Sequence, residues 1–407
     1  MAAPRLEGPA GGGPMIGILI PGGLVALAWT ALAIRLIRSS RGEWFRFLRP
    51  IEGPIPDGPE IAAIVPARNE EANIAQTIES LRAQEYPSLT ITVVDDQSTD
   101  QTWPILERIA NESDNRAALR VVRGLERPAG WVGKTWAVHQ GVSKTRAEWL
   151  WFVDADMGLH PRALASAIRE ADRTGADLVS LLPGVRCETF WQGTIAASFL
   201  QLLAQLYPID RVNDPDRPDA LAAGGFILVR SSAYERAGGH EACRGEIIED
   251  LKLAQHVKKA GGKLAVRLAP GLAWTHMYGS FGEIWRGLRK NAYAGMDYMP
   301  HKYVTGAILA LLMAWAPAAC LATGSSPAIV IGACGIAAQV LASVPILVFL
   351  DLPWIFALAL PAGITAYVAI ASASVWHHHR GRILWKDRVL STSDVLSRSA
   401  RIDESAP

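Results

Sequence analysis

Acidic and polar residues at the ends of several apolar runs are the first candidates for chemistry in this chain. They fall in the segments 65–70 (VPARNE), 93–100 (VVDDQSTD) and 152–157 (FVDADM). A nucleotide diphosphate needs acceptors for its base and ribose, and a divalent cation to neutralise the diphosphate when it leaves. Mg²⁺ and Mn²⁺ prefer carboxylate oxygens and commonly bind through one or two of them together with phosphate. Asp154 and Asp156, one residue apart, can therefore divide a ribose contact and a metal contact.

Each cluster also has a plainer interpretation. A single D-x-D pair is common in loops, and Asp95 and Asp96 can form a turn in which Ser98 or Asp100 caps the next helix. Such capping does not exclude a contact between Asp96 and a ligand. The order and spacing of the clusters therefore carry more weight than any one of them.

Alternating strands and helices must position these clusters. Apolar runs predict strands at 61–65, 89–94, 119–122, 149–153 and 177–182, and helical spacing predicts helices at 72–83, 100–110 and 161–174. This alternation is typical of a parallel, doubly wound α/β sheet, in which ligands bind at the carboxyl ends of the strands. The three clusters all lie at predicted strand ends, which predicts a single site along one edge of the sheet.

The order of the motifs resembles that of family 2 glycosyltransferases over about residues 60–300. In that family the first strand ends in Val-Pro-x-x-Asn-Glu and the second in Val-Asp-Asp-x-Ser-x-Asp. A D-x-D follows, and a Glu-Asp pair closes the site; all of these elements are present here, the last in residues 248–253 (IEDLKL). The resemblance implies a GT-A fold, the Rossmann-like fold of nucleotide-diphospho-sugar transferases, flanked here by N-terminal and C-terminal transmembrane helices.

The resemblance also implies roles for individual residues. Those expected at the nucleotide sugar are Pro66, Ala67, Glu70, Asp95, Asp96, Lys134, Asp154, Gly224 and Gly225. Asp156 would bind Mg²⁺ or Mn²⁺, with Asp154 contacting the metal or the nucleoside. From the residues alone, Lys134 could equally be a surface lysine, and the glycine pair could be a strand bulge rather than space for the sugar.

The chemistry implied by the resemblance is direct displacement at the anomeric carbon with inversion. Asp250, beside Glu249, matches the family's general base and would take the proton of the acceptor hydroxyl, while the metal holds the departing diphosphate. Processive polysaccharide synthases carry Gln-x-x-Arg-Trp after the Glu-Asp pair, and this chain has FGEIWRGLRKNAY at 281–293 instead. A single sugar transfer is therefore expected, and a processive synthase is the alternative.

Residues around this last segment are weaker candidates for contacts with acceptor or diphosphate. They are Trp285, Arg286, Arg289 and His276. An amphipathic arginine-rich helix and a buried histidine are the plainer interpretations, and the histidine run 377–379 is expected at the membrane interface. The segments 131–141, 206–208, 212–215 and 222–230 most resemble the hopene-associated glycosyltransferases. That resemblance implies a hopanoid or sphingolipid-like acceptor and a UDP-sugar donor.

Long apolar runs flank the middle region and predict a multi-pass protein of the bacterial plasma membrane. The predicted parts are an N-terminal tail (1–14), a transmembrane anchor (15–37), an interfacial segment and linker (38–59), the catalytic domain (60–300), a C-terminal transmembrane region (301–376) and a C-terminal tail (377–407). Arginines concentrate after the anchor, which places the catalytic domain in the cytoplasm.

The C-terminal runs at 304–323, 328–350 and 352–376 could each span the membrane. Three full spans would put the basic tail outside, against the positive-inside rule. We therefore expect one run, most simply the proline-broken 352–376 or its neighbour, to be re-entrant or interfacial. The helical run 190–207 is expected to lie at the membrane surface.

Other classes of protein fit less well. A formal net charge of +1, with no basic cluster among aromatic residues, argues against nucleic acid as a partner. The cysteines have neither metal spacing nor a disulfide pattern. A dinucleotide-dependent oxidoreductase would need a glycine-rich turn where residues 66–70 stand. A transporter or non-enzymatic scaffold would leave the acidic strand ends unexplained.

Overall fold

A seven-stranded mixed sheet forms the centre of the middle region. The structure is a computed structural model and describes residues 13–55, 58–112, 117–276, 280–380, 383–385 and 388–390. The strands are β1 (Ile61–Ala67), β2 (Leu89–Asp95), β3 (Ala118–Arg123), β4 (Trp149–Phe152), β5 (Met157–Leu159), β6 (Leu178–Leu182), β7 (Gly184–Arg186), β8 (Ile227–Arg230), β9 (Leu264–Leu268), β10 (Ala273–His276), β11 (Ile383–Trp385) and β12 (Arg388–Leu390). The central sheet has the order β3-β2-β1-β4-β8-β6-β9, while β5-β10-β7 and β11-β12 form smaller sheets.

The α-helices comprise the connections of this sheet and the long apolar helices near both ends of the chain. They are α1 (Gly13–Ser40), α2 (Ile74–Arg82), α3 (Thr102–Asn111), α4 (Gly133–Val142), α5 (Ala163–Thr174), α6 (Phe190–Leu206), α7 (Ile209–Val212), α8 (Ser231–Arg236), α9 (Gly239–Ala242), α10 (Glu249–Lys259), α11 (Phe281–Ala292), α12 (Pro300–Ala322), α13 (Ser326–Phe349) and α14 (Leu360–His379). The predicted helices at 72–83, 100–110 and 161–174 correspond to α2, α3 and α5.

Strand β1 is buried on both faces of the sheet, as its uninterrupted apolar sequence predicts. Successive side chains alternate between faces: Ile61 and Val65 belong to one core cluster, and Ala62 and Ile64 belong to the other. All four side chains are at most 1% exposed. Strand β1 pairs in parallel with both β2 and β4, which confirms the parallel arrangement predicted for this half of the sheet.

The other half of the sheet departs from the predicted all-parallel arrangement. Strand β8 lies between β4 and β6 and is antiparallel to both. Because Phe152 pairs with Ile227, the beginning of β8 lies beside the end of β4. The segment that precedes β8 therefore reaches the same edge of the sheet as the D-x-D loop. A run of parallel βαβ units could not have brought it there.

The register of the parallel strands places the polar clusters side by side. Ala67 at the end of β1 pairs with Asp95 at the end of β2. Ile64 pairs with Phe152, so the chain after β4 leaves the sheet at the same edge. The predicted meeting of these clusters at one edge of the sheet is confirmed.

The linker that precedes the sheet is fixed to the domain by hydrogen bonds. Ile51 N donates to Ser166 Oγ (3.1 Å), and Arg162 Nη1 donates to the carbonyl oxygens of Ile51 (2.9 Å) and Gly53 (3.0 Å). Leu48 N also donates to the carbonyl of Leu268 at 2.8 Å. The described part of this proline- and glycine-rich segment therefore follows the domain surface.

Among the described helices, three are long and apolar enough to cross a membrane: Gly17–Ser40 within α1, α12 and α13. They pack against one another through a cluster that includes Trp29, Ala33, Ala314 and Ala342. Trp29 Nε1 donates to the carbonyl of Met313 at 2.8 Å, so the indole N–H of this α1 residue has a hydrogen-bond partner inside the helix bundle. Helix α14 is not among these three, and the expectation that the 352–376 run does not span stays a prediction.

Helices α6 and α14 pack closely against each other because small residues meet at their contact. A side chain at Gly363 would approach Ser198 Oγ to 2.1 Å, and Ser198 Oγ donates to the carbonyl of Leu360 at 3.4 Å. The last turn of α14 carries the histidine run that was expected at the membrane interface. His378 is buried (5% exposed) and stacks on Tyr298 with ring centroids 4.6 Å apart, and the interfacial position of the run stays a prediction. This histidine therefore fills a contact beside α11.

Candidate active site

Lys134 connects two of the sequence motifs at the edge of the sheet. Its Nζ lies 2.6 Å from Asp154 Oδ1 and 2.6 Å from Glu249 Oε1. Burial lowers the pKa of Lys134, but the nearby Asp154, Glu249 and Asp250 outweigh this and raise it well above its ordinary value. Lys134 is therefore a permanently charged group at the centre of an acidic cluster, which contradicts its plainer interpretation as a surface lysine.

Asp250 is held by two main-chain donors. Gly224 N donates to Asp250 Oδ2 at 2.9 Å, and Leu251 N donates to Asp250 Oδ1 at 2.8 Å. Glu249 and Asp250 form the first turn of α10, where the helix dipole favours negative charge. Burial, followed by the neighbouring Glu249, nevertheless raises the pKa of Asp250 to about 6. The carboxylate is thus fixed in orientation and has a basicity suited to proton transfer near neutral pH.

The two glycines of the 222–226 segment have different surroundings. A side-chain carbon at Gly224 would lie 3.0 Å from Lys134 Nζ, 3.2 Å from Asp250 Oδ2 and 3.3 Å from Asp154 Oδ2. A side-chain carbon at Gly225 would instead lie 2.6 Å from Met157 Sδ. Gly224 therefore borders the charged cluster, and room for a sugar beside it stays a prediction, whereas the space at Gly225 is taken by the core.

Asp156 lies beside the cluster with a side chain that solvent can reach. The surrounding protein still removes much of the bulk water around it, and this desolvation, followed by the charges of Asp154 and Glu70, raises its pKa to about 6. Neighbouring carboxylates repel each other when both are ionised, and a bound cation would offset this repulsion. Asp154 and Asp156 are the carboxylates that could hold a divalent metal here.

The loops after β1 and β2 interlock through main-chain and side-chain hydrogen bonds. Asn69 and Gln97 both adopt positive φ angles (50° and 55°), which turns each loop sharply at the strand end. Glu70 N donates to Thr102 Oγ1 (2.7 Å), and Arg68 Nη1 donates to the carbonyl of Asp96 (2.5 Å). These contacts shape the edge on which a nucleotide would bind.

The aspartates after β2 take part in hydrogen bonds that shape the loop between β2 and α3. Asp95 is fully buried, and its Oδ1 accepts from Ser98 N at 3.3 Å, as the turn interpretation predicts. Asp100 Oδ1 accepts from Thr102 N at 3.0 Å. The N-cap of α3 is Gln101, which makes no side-chain cap, so Asp100 receives the first N–H of the helix from one residue before the predicted cap position. Asp96 N donates to the carbonyl of Ala67 at 2.7 Å, which ties the two loops together.

A pocket at this edge joins several of the predicted residues. Its lining consists of Pro66, Lys134, Val138, Phe152, Val153, Asp154, Gly224, Ile227, His240, Glu249 and Asp250. The remaining nucleotide and metal candidates do not line it; they are Ala67, Glu70, Asp95, Asp96, Asp156 and Gly225. The pocket is therefore centred on the Lys134 cluster, at the junction of the D-x-D and Glu-Asp motifs.

The candidate acceptor residues on α11 lie outside this pocket. Arg289 Nη1 is 3.1 Å from His377 Nε2 of α14, so this arginine contacts the C-terminal helix instead of the pocket. The Trp285 ring is 6.1 Å from that of Phe281, and Arg286 is exposed. His276 ends strand β10, and its side chain lies outside the described part of the chain.

Sequence analysis missed two basic groups near the cluster. Lys290 of α11 is close enough that Glu249 and Asp154 act on it, and burial lowers its pKa to about 8. Its position one residue after Arg289 could have drawn attention to it. His240 lines the pocket although it comes from α9, and no spacing in the sequence connects it to the acidic motifs.

Comparison with known proteins agrees with this geometry. The model of the family described as Glycosyl transferase family 2 matches residues 62–238. The 4,4'-diaponeurosporenoate glycosyltransferase of Staphylococcus aureus strain USA300 is 27% identical over 252 residues, which are 61% of this chain and 65% of that protein. The protein of the same name from the bovine strain RF122 is 30% identical over 195 residues, 47% of this chain and 50% of that protein. These matches thus span less than two thirds of either relative.

A solved structure shows the same fold over most of the chain. The mannosyltransferase PcManGT from Pyrobaculum calidifontis, in complex with GDP-Man and Mn²⁺, aligns with a TM-score of 0.52 and 19% identity. The alignment covers 87% of this chain and 99% of that one. The mixed sheet with acidic strand ends is accordingly of the GT-A type, and residues 62–238 form a glycosyl transferase family 2 domain.

Proposed function

We propose that this protein is an inverting glycosyltransferase that moves one sugar from a nucleotide-diphosphate sugar to a lipid at the cytoplasmic face of the membrane. The observation that carries the proposal is the placement of Asp250. Its carboxylate is held by the main chain of Gly224 and Leu251 beside the Lys134–Asp154 pair. A group that can accept a proton thus lies next to groups that can bind the donor.

Asp250 is the proposed general base. Its two main-chain hydrogen bonds fix the carboxylate plane, and a pKa of about 6 leaves it ionised at neutral pH yet basic enough to take a proton. It would remove the hydrogen of the acceptor hydroxyl while that oxygen attacks the anomeric carbon. The bond from that carbon to the diphosphate breaks in the same step, which gives inversion.

Lys134 and Glu249 have supporting roles in this proposal. Lys134 holds Asp154 and Glu249 at 2.6 Å each, so it keeps the D-x-D loop and the first turn of α10 in a fixed relation. Its positive charge offsets part of the repulsion that a diphosphate would meet among these carboxylates. Glu249 adds negative charge beside Asp250 and in this way raises the basicity of the proposed base.

The donor set fits a divalent cation completed by its substrate. Among the described residues, no group of three or more His, Cys, Asp or Glu side chains could hold a metal ion alone. Mg²⁺ and Mn²⁺ commonly use one or two carboxylates plus substrate phosphates, and Asp154 and Asp156 would provide the carboxylates. The chemistry that the ion supplies when bound is neutralisation of the charge on the departing diphosphate.

A lipid acceptor is supported by the apolar helices and by the surface beside them. Phe190 and Trp191 at the start of α6 are 55% and 42% exposed, and Trp191 lies 5.6 Å from the exposed Phe281 of α11. Exposed aromatic rings of this kind favour a membrane interface. The name of the Staphylococcus relatives gives 4,4'-diaponeurosporenoate as what they glycosylate. For this chain we propose a lipid, with a hopanoid as the first acceptor to examine.

The test uses the full chain in lipid nanodiscs with Mn²⁺ and a panel of UDP- and GDP-sugars. We expect released nucleotide with one sugar class when an acceptor lipid is present, and none in its absence. Asp216→Asn, which changes an exposed carboxylate away from the pocket, is the control for Asp250→Asn. Absence of turnover with every donor and lipid tried, in protein that remains folded, would contradict the proposed function.

A further inference from the structure

His240 is a buried polar side chain on the pocket wall that the proposed mechanism does not use. It is 3% exposed and lines the pocket together with Asp154, Glu249 and Asp250. Its ring meets Phe152 edge-on, with centroids 4.8 Å apart. Burial of an imidazole in such a place is costly unless its nitrogens have partners.

Tyr234 contacts Nδ1 of this ring and favours the tautomer with the hydrogen on Nε2. His240 N donates to Tyr234 Oη at 2.9 Å, and Tyr234 Oη lies 2.9 Å from His240 Nδ1. The hydroxyl oxygen already accepts from the main chain, so its own hydrogen is available for Nδ1. With Nδ1 as acceptor, the neutral ring carries its hydrogen on Nε2.

The neutral form of the ring is strongly favoured. Burial, with Lys134 and His139 nearby, lowers the pKa of His240 to about 3. The imidazole therefore stays uncharged throughout the physiological range. Its Nε2–H is a neutral donor, and among the described residues no hydrogen bond to this nitrogen is present.

The turn before His240 is built to hold the ring in place. Gly238 and Gly239 both have positive φ (77° and 54°), a conformation that other residues rarely adopt. A side-chain carbon at Gly239 would lie 2.7 Å from the Tyr234 ring. This segment therefore brings the histidine and the tyrosine together at the pocket in a single arrangement.

We propose that the Nε2–H of His240 donates a hydrogen bond to a hydroxyl of the sugar being transferred, an inference that rests on the proposed function. The pocket presents three carboxylates and one lysine, and that lysine is already paired with two of them. An additional uncharged donor in such surroundings suits an uncharged hydroxyl better than a phosphate. His240 is then a residue that selects among donor sugars.

The test compares the binding of nucleotide sugars with that of the bare nucleotides. Isothermal titration calorimetry would use UDP-glucose, UDP-N-acetylglucosamine and GDP-mannose, then UDP and GDP, with the full chain in nanodiscs and Mn²⁺. In His240→Asn the shorter amide can still reach Tyr234 but not the pocket. We expect it to bind the cognate nucleotide sugar about tenfold more weakly, the value of one hydrogen bond, and the nucleotide unchanged.

Matched variants separate this contact from a loss of structure. His240→Gln places an amide near the Nε2 position, so it should recover much of the affinity. Tyr234→Phe keeps the ring of His240 but removes the hydroxyl that favours its Nε2–H form, and it should weaken sugar binding several-fold. If His240→Asn does not fold, this variant tests the role of His240 in its place. Because the ring stays neutral, the ratio of wild-type to variant affinity should not change between about pH 6 and about pH 8.

Distinct results would overturn the two proposals. Equal affinity of wild type and His240→Asn for the cognate nucleotide sugar would overturn the role of His240 and leave the proposed function intact. An equal loss of affinity for the nucleotide and its sugar would also overturn it, because the contact would then lie outside the sugar. If the folded wild type bound none of the nucleotide sugars, both proposals would fail.

Discussion

Replacing Asp250 with asparagine should remove turnover and leave donor binding nearly intact. The carboxylate accepts from Gly224 N and Leu251 N through different oxygens. Asparagine has one acceptor oxygen, so its amide NH₂ must face one of these two N–H groups. The protein should therefore be about 1–3 kcal/mol less stable, the range for an unsatisfied buried donor.

The catalytic loss should be larger than this structural effect. General base catalysis contributes about 10²–10⁴ in rate, so kcat should fall by this factor, equivalent to about 3–5 kcal/mol in the barrier. Nucleotide released in nanodiscs measures kcat, calorimetry with the nucleotide sugar measures donor binding, and thermal unfolding shows that the variant is folded. Near-normal turnover by folded Asp250→Asn would refute the assignment of the base.

The pH profile tests the same carboxyl without changing the sequence. Because burial and Glu249 raise the pKa of Asp250 to about 6, the ionised form that accepts a proton is lost as the pH falls through that value. We expect kcat/KM to decrease about tenfold per pH unit below about pH 6 and to be level above it. Asp156 titrates in the same range, so the residual activity of Asp250→Asn is the control. A wild-type profile that is level from about pH 5 to about pH 8 would contradict Asp250 as the base.

Other predictions address the metal, the charged cluster around Lys134, the product and the membrane topology. Asp156→Ala should abolish the Mn²⁺-dependent part of donor binding in calorimetry, and unchanged metal dependence would remove Asp156 from the metal site. Gly224→Ala should lower kcat at least tenfold, because its new methyl would press on Lys134, Asp250 and Asp154, whereas Gly271→Ala, with open space around it, should be neutral. Mass spectrometry of the lipid product should show one added sugar, and a ladder of hexose additions would point to processive synthesis. We propose that two C-terminal spans return the chain to the cytoplasm. An engineered Ser397→Cys should then resist an impermeant thiol reagent in intact cells, and rapid modification would place the tail outside.

The parts of the site that could be predicted from sequence are those that follow directly from single strands. An apolar run that ends in Asp95 or Asp154 has its end at the sheet edge, because parallel strands share that edge. The pairing of Lys134 with Glu249 could not be predicted in this way. These residues belong to different helices, far apart in the chain, and no local pattern connects them.

Packing between distant elements also explains where the predictions fail. Gly225 was expected to leave room for a sugar, but the space beside it holds Met157, which only the antiparallel β8 brings near. Arg289, a candidate for the acceptor, contacts His377 of α14, and its role at the acceptor stays a prediction. Both outcomes depend on how complete elements dock, and the residue types alone carry no information about that docking.

The docked linker has a geometric consequence for the kind of acceptor that the site can serve. Arg162 and Ser166 hold Ile51 by hydrogen bonds, soon after the end of α1. With so little free chain between the anchor and the sheet, the catalytic carboxylate would keep a nearly constant height above the lipid headgroups. The domain would then select acceptors by the distance of their hydroxyl from the membrane surface. Hydroxyls at the height of the carboxylate could react, and hydroxyls on long, projecting headgroups could not reach it.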